Sequence, residues 1–510
     1  MTKIKSSIVS FASSNFLFIF LISFLVVSFF ATRLTNLTII PVFADEAIYI
    51  RWAQVMKAVP SLRFLPLSDG KQPLFMWTVI PFLKIFSDPL VAGRMVSVFS
   101  GFGTLIGVYT LSYLLFKNKM VSFFASLLYL ISPFTLFFDR MALADGMLAC
   151  WGIWSLVFGV GLVRFLRLDL AMILGISLGL GLLTKSPALI FALLLPSVLV
   201  LSKHKEINLS LLAKLAGLLV VVYLFSFAIY NILRLGPEFH MIGIRNKDYV
   251  FSLPEVLRHP FNPLVGNLKS VVVWYWILLT PLTFVSGIVG GTVALKKSTR
   301  EAVLLWLWVL VPLLAQSAIA KVYTSRYILY TVPFFLIFAA HFIERVFNSV
   351  RSKVLVIGFL VLVFLAPVYG SLLLISDPDR AWLPENERSG YLQLWTAGQG
   401  IKQSSEYLRE VAQSQKVLVG TEGFFGTLPD GLQIYLEGVP NVTVIGVGQP
   451  IKEISAKLTD GLVDNRVFLL VNDSRFKIKD TTNLRLIAKY PKAVSKDGHQ
   501  ENLLFFEILK

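Results

Sequence analysis

The sequence predicts an all-α polytopic membrane domain followed by a small soluble α/β domain. Three observations lead there. About eleven apolar runs are long enough to cross a hydrocarbon core of ~30 Å at ~20 residues each. The connections between them alternate in basic content. From about residue 376 the composition turns into that of a water-soluble chain in which strand and helix patterns alternate.

The bulk composition agrees: 56% of the residues are hydrophobic, 15% are charged, and the mean hydropathy is +0.73. A formal net charge of +17 over 510 residues is compatible with nucleic acid in principle. Here Lys and Arg stand in twos and threes between apolar runs, the pattern of orientation signals rather than of a binding stripe. Nucleic acid is therefore excluded as a partner, and membrane lipid is expected. Cys150, the single cysteine, lies within an apolar run, so neither an intrachain disulfide nor a thiolate cluster can form.

In chain order the apolar runs fall at about 13–31, 89–116, 121–138, 146–163, 170–184, 188–201, 209–230, 270–295, 301–319, 327–344 and 353–375. The first follows Lys3 and Lys5 and has no convincing cleavage site after it, which reads as an uncleaved signal anchor with a cytoplasmic N-terminus. Alternate junctions then carry Lys117 and Lys119, Arg164 and Arg167, Lys203 and Lys205, Lys296, Lys297 and Arg300, and Arg345, Arg351 and Lys353, all on one face. The protein is thus expected to be multi-pass in a plasma or inner membrane.

The extracytoplasmic face receives a first loop at 32–88, turns at 139–145, 184–187 and 321–326, a second large loop at 231–269, and the C-terminal domain. Within the first loop, 73–86 is apolar but short and interrupted by Pro81 and Lys84, as in an interfacial helix. Trp274, Tyr275 and Trp276 read as an interfacial aromatic belt. The division expected is 1–375 for the membrane domain and 376–510 for the soluble one. In the latter, 416–420, 441–445, 466–471 and 503–508 have strand character, and 400–413, 429–437 and 453–457 helical character.

The outer face also holds the unusual residues. Acids gather there at Asp45, Glu46, Asp69, Asp139 and Asp145. Arg94, Arg140, Lys185, Lys321 and Arg326 break the charge rule that the inner loops obey, so each must be held by something it binds. For Lys185 and Arg326, both at helix ends on the acid-bearing side, a phosphate suits best. Asp139 and Asp145 lie six apart, off a common helical face, so one of them at most enters a site, and Asp145 is favoured. His240 and His259 lie in the 231–269 loop, which can cover the site as a lid; Asp139, Arg140 and His259 are secondary candidates.

Carboxylates beside phosphate-binding cations suit one chemistry. A sugar leaving a lipid phosphate needs cations for the developing charge. The attacking hydroxyl must lose its proton to a positioned carboxylate. Displacement opposite the phosphate inverts the anomeric carbon.

The motif Phe43-Ala44-Asp45-Glu46-Ala47-Ile48-Tyr49 resembles the first-loop acidic motif of GT-C-type polyprenyl-phosphate-sugar glycosyltransferases, which include protein O-mannosyltransferases and lipid A aminoarabinose transferases. Lys71-Gln72-Pro73-Leu74, Val91 to Ser97 around Arg94, Ser132-Pro133 through Asp145-Gly146, Gly179 to Pro187 around Lys185, and Ser325-Arg326-Tyr327 with Pro333 are similar to its later motifs, in order over roughly 14–345.

The resemblance implies a GT-C-like fold and an inverting transfer of a sugar from a polyprenyl phosphate to a hydroxyl of a protein, lipid or glycan. It implies Asp45 as base with Glu46 beside it, Asp145 at the acceptor, and Arg94, Lys185, Arg326 and Lys71 around the carrier phosphate. Asp69-Gly70-Lys71 departs from the Glu-Lys of the aminoarabinose enzymes. No metal ligands are assigned; a divalent metal stays open as cofactor. Two alternatives are a flippase for lipid-linked sugar, which predicts mid-membrane charges and paired broken helices, and an oligosaccharyltransferase using a pyrophosphate carrier, which predicts a metal held by spaced acids.

Overall fold

The computed structural model describes residues 2–202 and 209–510, with side chains from Phe18 onward. The expected inner-face signals Lys203 and Lys205 fall outside the described residues, as do the side chains of Lys3 and Lys5. The first part of the chain is helical: α1 (Thr2–Leu34), α2 (Ala44–Ala58), α3 (Leu74–Ile85), α4 (Pro89–Phe116), α5 (Lys119–Ile131), α6 (Pro133–Asp139), α7 (Ala144–Phe165), α8 (Leu168–Thr184), α9 (Ala188–Leu194) and α10 (Leu209–Tyr230). It continues with α11 (Met241–Tyr249), α12 (Leu253–Arg258), α13 (Leu264–Leu278), α14 (Pro281–Lys297), α15 (Thr299–Ile319), α16 (Val332–Ser349) and α17 (Lys353–Ser376).

Helix starts follow from local chemistry. Asp88 caps α4 by accepting from the N–H groups of Leu90 and Val91, with Pro89 in the first position, where a missing N–H costs nothing. Asn118 caps α5 in the same way.

Among the described residues six helices are long and apolar enough to span a membrane: α4, α7, α10 with its extension to Leu235, α15, α16 with the turn from Ser325, and α17. Two of the runs read as straight spans are broken instead. The 121–138 run bends by 61° between α5 and α6, and the 270–295 run by 115° between α13 and α14, which raises the number to eight if each pair counts as one span. Both breaks precede a proline, Pro133 and Pro281, whose ring excludes a continuous helix. The runs at 170–184 and 188–201 form shorter apolar helices, as does the expected interfacial segment, α3. The aromatic belt also needs correcting: Trp274 and Tyr275 are buried, and only Trp276 is exposed.

After α17 come α18 (Glu385–Arg388), α19 (Ile401–Val411), β1 (Val417–Glu422), α20 (Asp430–Leu436), β2 (Val442–Gly448), α21 (Ala456–Gly461), β3 (Arg466–Asn472), β4 (Leu484–Pro491) and β5 (Asn502–Ile508). The sheet order is β2-β1-β3-β5-β4; β1 pairs in parallel with β2 and β3, and β5 runs antiparallel to β3 and β4. β4 has no counterpart in the strands read from sequence. It is an edge strand broken by charges and closed by Pro491, as unpaired edges tend to be.

One apolar core runs from the membrane helices through Ala47, Ile50 and Trp52 of α2 and Leu432 of α20 to Val419 and Phe468 of the sheet. α2 therefore lies between α3 and α4 on one side and α20 on the other. α14 and α16 approach so closely that a Cβ on Gly290 would run into the Phe338 carbonyl. Gly290→Ala is expected to cost ~1–3 kcal/mol by overpacking, read as a lower Tm in detergent, with Gly217→Ala, which has open space, as the neutral comparison.

Candidate active site

The site is built on the first turn of α2. Adjacent helical positions point about 100° apart, so Asp45 and Glu46 face different surroundings. Glu46 is fully buried against Arg94, whose Nε and Nη2 lie 2.8 and 2.7 Å from the two carboxylate oxygens. Arg94 donates its remaining N–H groups to the carbonyls of Leu37, Ile40 and Pro41, so all five donors are engaged. Glu46 also accepts from the backbone N–H of Phe43 and of Ala142, and the Ala44 N–H is taken up by the Thr396 carbonyl. These bonds fix where the first turn of α2 sits and leave Asp45 directed the other way.

Asp45 pairs with Arg326 at 2.5 Å, its side chain about a quarter exposed. It lines a small cavity together with Tyr49, Lys71, Gln72, Lys185 and Arg326. Lys71, Gln72, Lys185 and Tyr327 also line an adjoining chamber of about 310 Å³. That chamber is walled by Asp145, by Leu148, Ile190 and Ile319 of the membrane helices, and by Arg245 and Tyr249 of α11. Lys185 pairs with Asp145 at 2.5 Å and lies 4.4 Å over the Tyr327 ring. Lys71 donates to the Tyr249 hydroxyl at 3.3 Å and lies 3.9 Å from Asp69, which Arg245 also holds.

Burial by itself would raise the Asp45 carboxyl, but Arg326, Lys71 and Lys185 outweigh it and hold the group below the ordinary aspartate value. Burial would lower Lys71, yet Tyr49, Asp45, Tyr249 and Asp69 keep its ammonium charged. The Tyr49 phenol is pushed up by burial and stays protonated.

The family described as dolichyl-phosphate-mannose-protein mannosyltransferase matches residues 70–230. The undecaprenyl phosphate-α-4-amino-4-deoxy-L-arabinose arabinosyl transferase of Yersinia enterocolitica is 27% identical over 271 residues, 50% of this chain and 46% of that protein, so the chain matches about half the length of that relative. Among solved structures, ArnT from Cupriavidus metallidurans in the apo state superposes with a TM-score of 0.58 at 14% identity, covering 97% of this chain and 98% of that one. The same protein bound to undecaprenyl phosphate gives 0.56 at 14% identity over 95% and 97%. The fold is that of the GT-C glycosyltransferases. The Archaeoglobus fulgidus oligosaccharyltransferase, apo, is similar too, at 0.51 and 12% identity over 89% of this chain and 69% of that one. With this GT-C fold the chain is a multi-span membrane protein.

Within the GT-C framework the predicted residues separate into two groups. Asp45, Lys71, Asp145, Lys185 and Arg326 are brought together around the two cavities. Glu46 and Arg94, expected at the catalytic carboxylates and the carrier phosphate, are instead a buried pair with no open donor. Asp139 is buried against Arg33 at 3.2 Å and accepts from the Tyr129 hydroxyl. Arg140 donates to the carbonyls of Thr32, Thr35 and Asn36. Arg33, Asp139, Arg140, Glu46 and Arg94 therefore anchor the start of the first loop. His259 is exposed at the end of α12 and lines neither cavity.

Several residues of the site were not singled out from sequence. Tyr49 follows Asp45 by one helical turn, so the i, i+4 spacing of α2 already carried that signal. Gln72 donates to the Ser186 hydroxyl at 2.7 Å, tying the first loop to the turn that bears Lys185. Glu387, buried, accepts the Ser325 N–H at 2.7 Å and thus holds the turn that presents Arg326, while Tyr391 stacks on Phe43 at 4.1 Å. Nothing in the linear sequence joins residues so far apart. Among the described residues no group of three or more His, Cys, Asp and Glu side chains is placed to hold a metal ion.

Arg94→Ala would leave the Glu46 carboxylate buried without its cation, a cost of ~3–5 kcal/mol; loss of the monodisperse folded peak in size exclusion is the expected result. Arg245→Ala removes a partly exposed cation whose partner Asp69 still has Lys71 beside it, and is expected to keep that peak.

Proposed function

We propose that this protein moves a sugar from a polyprenyl-phosphate carrier to a hydroxyl acceptor, with inversion, on the face of the membrane that bears Asp45. The observation that carries this reading is the convergence of Asp45, Lys71, Lys185 and Arg326, from four separate stretches of chain, on one cavity beside an apolar chamber. The similarity to the arabinosyl transferase and to the ArnT bound to undecaprenyl phosphate supports the same donor class. In this reading the chamber takes the carrier phosphate and the first isoprene units, with Lys71, Lys185 and Arg326 around the phosphate. Asp45 accepts the proton of the attacking hydroxyl, and Asp145 orients the acceptor.

Charge supports a monophosphate carrier. Lys71, Lys185, Arg245 and Arg326 line the two cavities against Asp45, Asp69 and Asp145, which leaves one positive charge. A sugar on a single phosphate is a diester with one negative charge, so it closes this balance. In the resting site the cations are held by carboxylates. An arriving phosphate competes for Arg326 and so releases Asp45 toward a more basic state as the donor binds. A pyrophosphate carrier with a metal would require a ligand cluster that the described residues do not provide. The reading places the N-terminus and the basic loops in the cytoplasm of a plasma or inner membrane, with residues 1–375 as the catalytic membrane domain and 376–510 as an extracytoplasmic one.

Asp45→Asn is expected to abolish transfer from a radiolabelled polyprenyl-phosphate sugar while donor binding and the folded peak persist; full activity in this variant sinks the proposal. Because the cations depress Asp45, the base stays ionised as pH falls through the ordinary aspartate range of ~4. The acid limb of kcat/KM, which reports the free enzyme, then lies below that range. Arg326→Gln removes a depressing charge, so its residual activity should fall off at a higher pH than that of the wild type.

A further inference from the structure

A third cavity, of about 330 Å³, lies outside the site, on the seam between α2, the end of α3, the start of α4, and α19 and α20. Its depth follows from Pro89, the first residue of α4: the 28 residues of that span rise ~42 Å, more than the ~30 Å hydrocarbon core, so its end reaches headgroup level. Leu83 and Phe86 form an apolar wall, and the neighbouring Ile85 is 71% exposed, as expected of a helix lying in the interface.

Two cations face this cavity without a carboxylate. Lys57 reaches only the Leu83 carbonyl, at 3.5 Å, and Arg409 gives one N–H to the Tyr435 carbonyl at 2.6 Å, leaving the rest of its fork open. Neither belongs to an ion pair among the described residues. Glu437, also on the wall, is neutralised by Arg51, and the nearby Asp88 by Lys402. The seam therefore combines net positive charge with an apolar face at headgroup depth.

We infer that this cavity binds the phosphate headgroup of an anionic phospholipid. An ammonium and a guanidinium fork suit a phosphodiester, which Arg grips through paired N–H donors. The apolar wall suits the start of an acyl chain. Such a lipid would bridge α2 and α3 to α19 and α20, and so brace the far end of the helix whose first turn carries Asp45.

The test uses the full chain in nanodiscs, zwitterionic or containing phosphatidylglycerol, read by native mass spectrometry and by Tm. Wild type is expected to retain phosphatidylglycerol and gain Tm from it. The double variant Lys57→Gln, Arg409→Gln should lose retention several-fold and lose the Tm gain. A control pair far from the seam, Lys296→Gln with Lys297→Gln, should keep both. Lys57→Gln alone, at an exposed position, must also lose retention, which covers the case of an unstable double variant. Equal retention by all variants means general attraction of anionic lipid to a basic protein and overturns the inference. A Tm gain from inorganic phosphate in zwitterionic discs, equal to that from phosphatidylglycerol, means a site for free anions and overturns it too.

Discussion

The guanidinium of Arg94 is the constraint on which the rest of the site depends. A buried arginine is tolerated only when its charge is matched and every N–H has an acceptor. Here Glu46 supplies the charge, and the carbonyls of Leu37, Ile40 and Pro41 supply the remaining acceptors. These partners lie on the loop that enters α2 and on α2 itself, while Arg94 rides on a long membrane helix. The pairing thus converts the rigidity of the bundle into a fixed position for one helical turn. Asp45 inherits that position without taking part in the bonds that create it.

The second organising feature is the neutralisation of charge before any ligand arrives. Arg326 is held by Asp45, Lys185 by Asp145, and Arg245 by Asp69. Cations near the hydrocarbon region are expensive to leave bare, and the carboxylates supply the countercharge. Pairs of this kind keep the cavity ordered without filling it, and they make the basicity of Asp45 depend on what else is bound to Arg326. Tyr249 directs Lys71 through its hydroxyl and ring and Tyr327 directs Lys185 through its ring, while Gln72 ties the first loop to the Lys185 turn through Ser186.

Much of this was legible in the sequence because membrane insertion imposes simple rules. Cations on the wrong face and acids in short outer turns mark residues that need partners, and Lys185, Arg326, Asp45 and Asp145 were found that way. The same rule cannot tell a cation that faces a cavity from one that pins a loop, and so Arg94 was placed with the phosphate and Arg140 among the secondary candidates. The adjacency of Asp45 and Glu46 suggested a dyad, whereas helical geometry sends them in different directions. The bends before Pro133 and Pro281 were visible as prolines but were overridden by the continuous apolar character of both runs. β4 escaped notice because an edge strand may carry charges where a central one may not. Glu387 had no sequence signal, since its meaning lies in a contact with a turn formed 62 residues earlier.

That contact has an implication for how the protein comes into being. The stretch from Glu387 to Ala397 caps α2, stacks on Phe43 and secures the Ser325 turn, yet it is made after every apolar span. A nascent chain already threaded into the bilayer thus holds an unfinished centre, with Arg326 and the first turn of α2 lacking their last supports. The centre is complete only once the segment that follows the last span has docked, so the soluble part of the chain is a structural component of the site rather than an appendage.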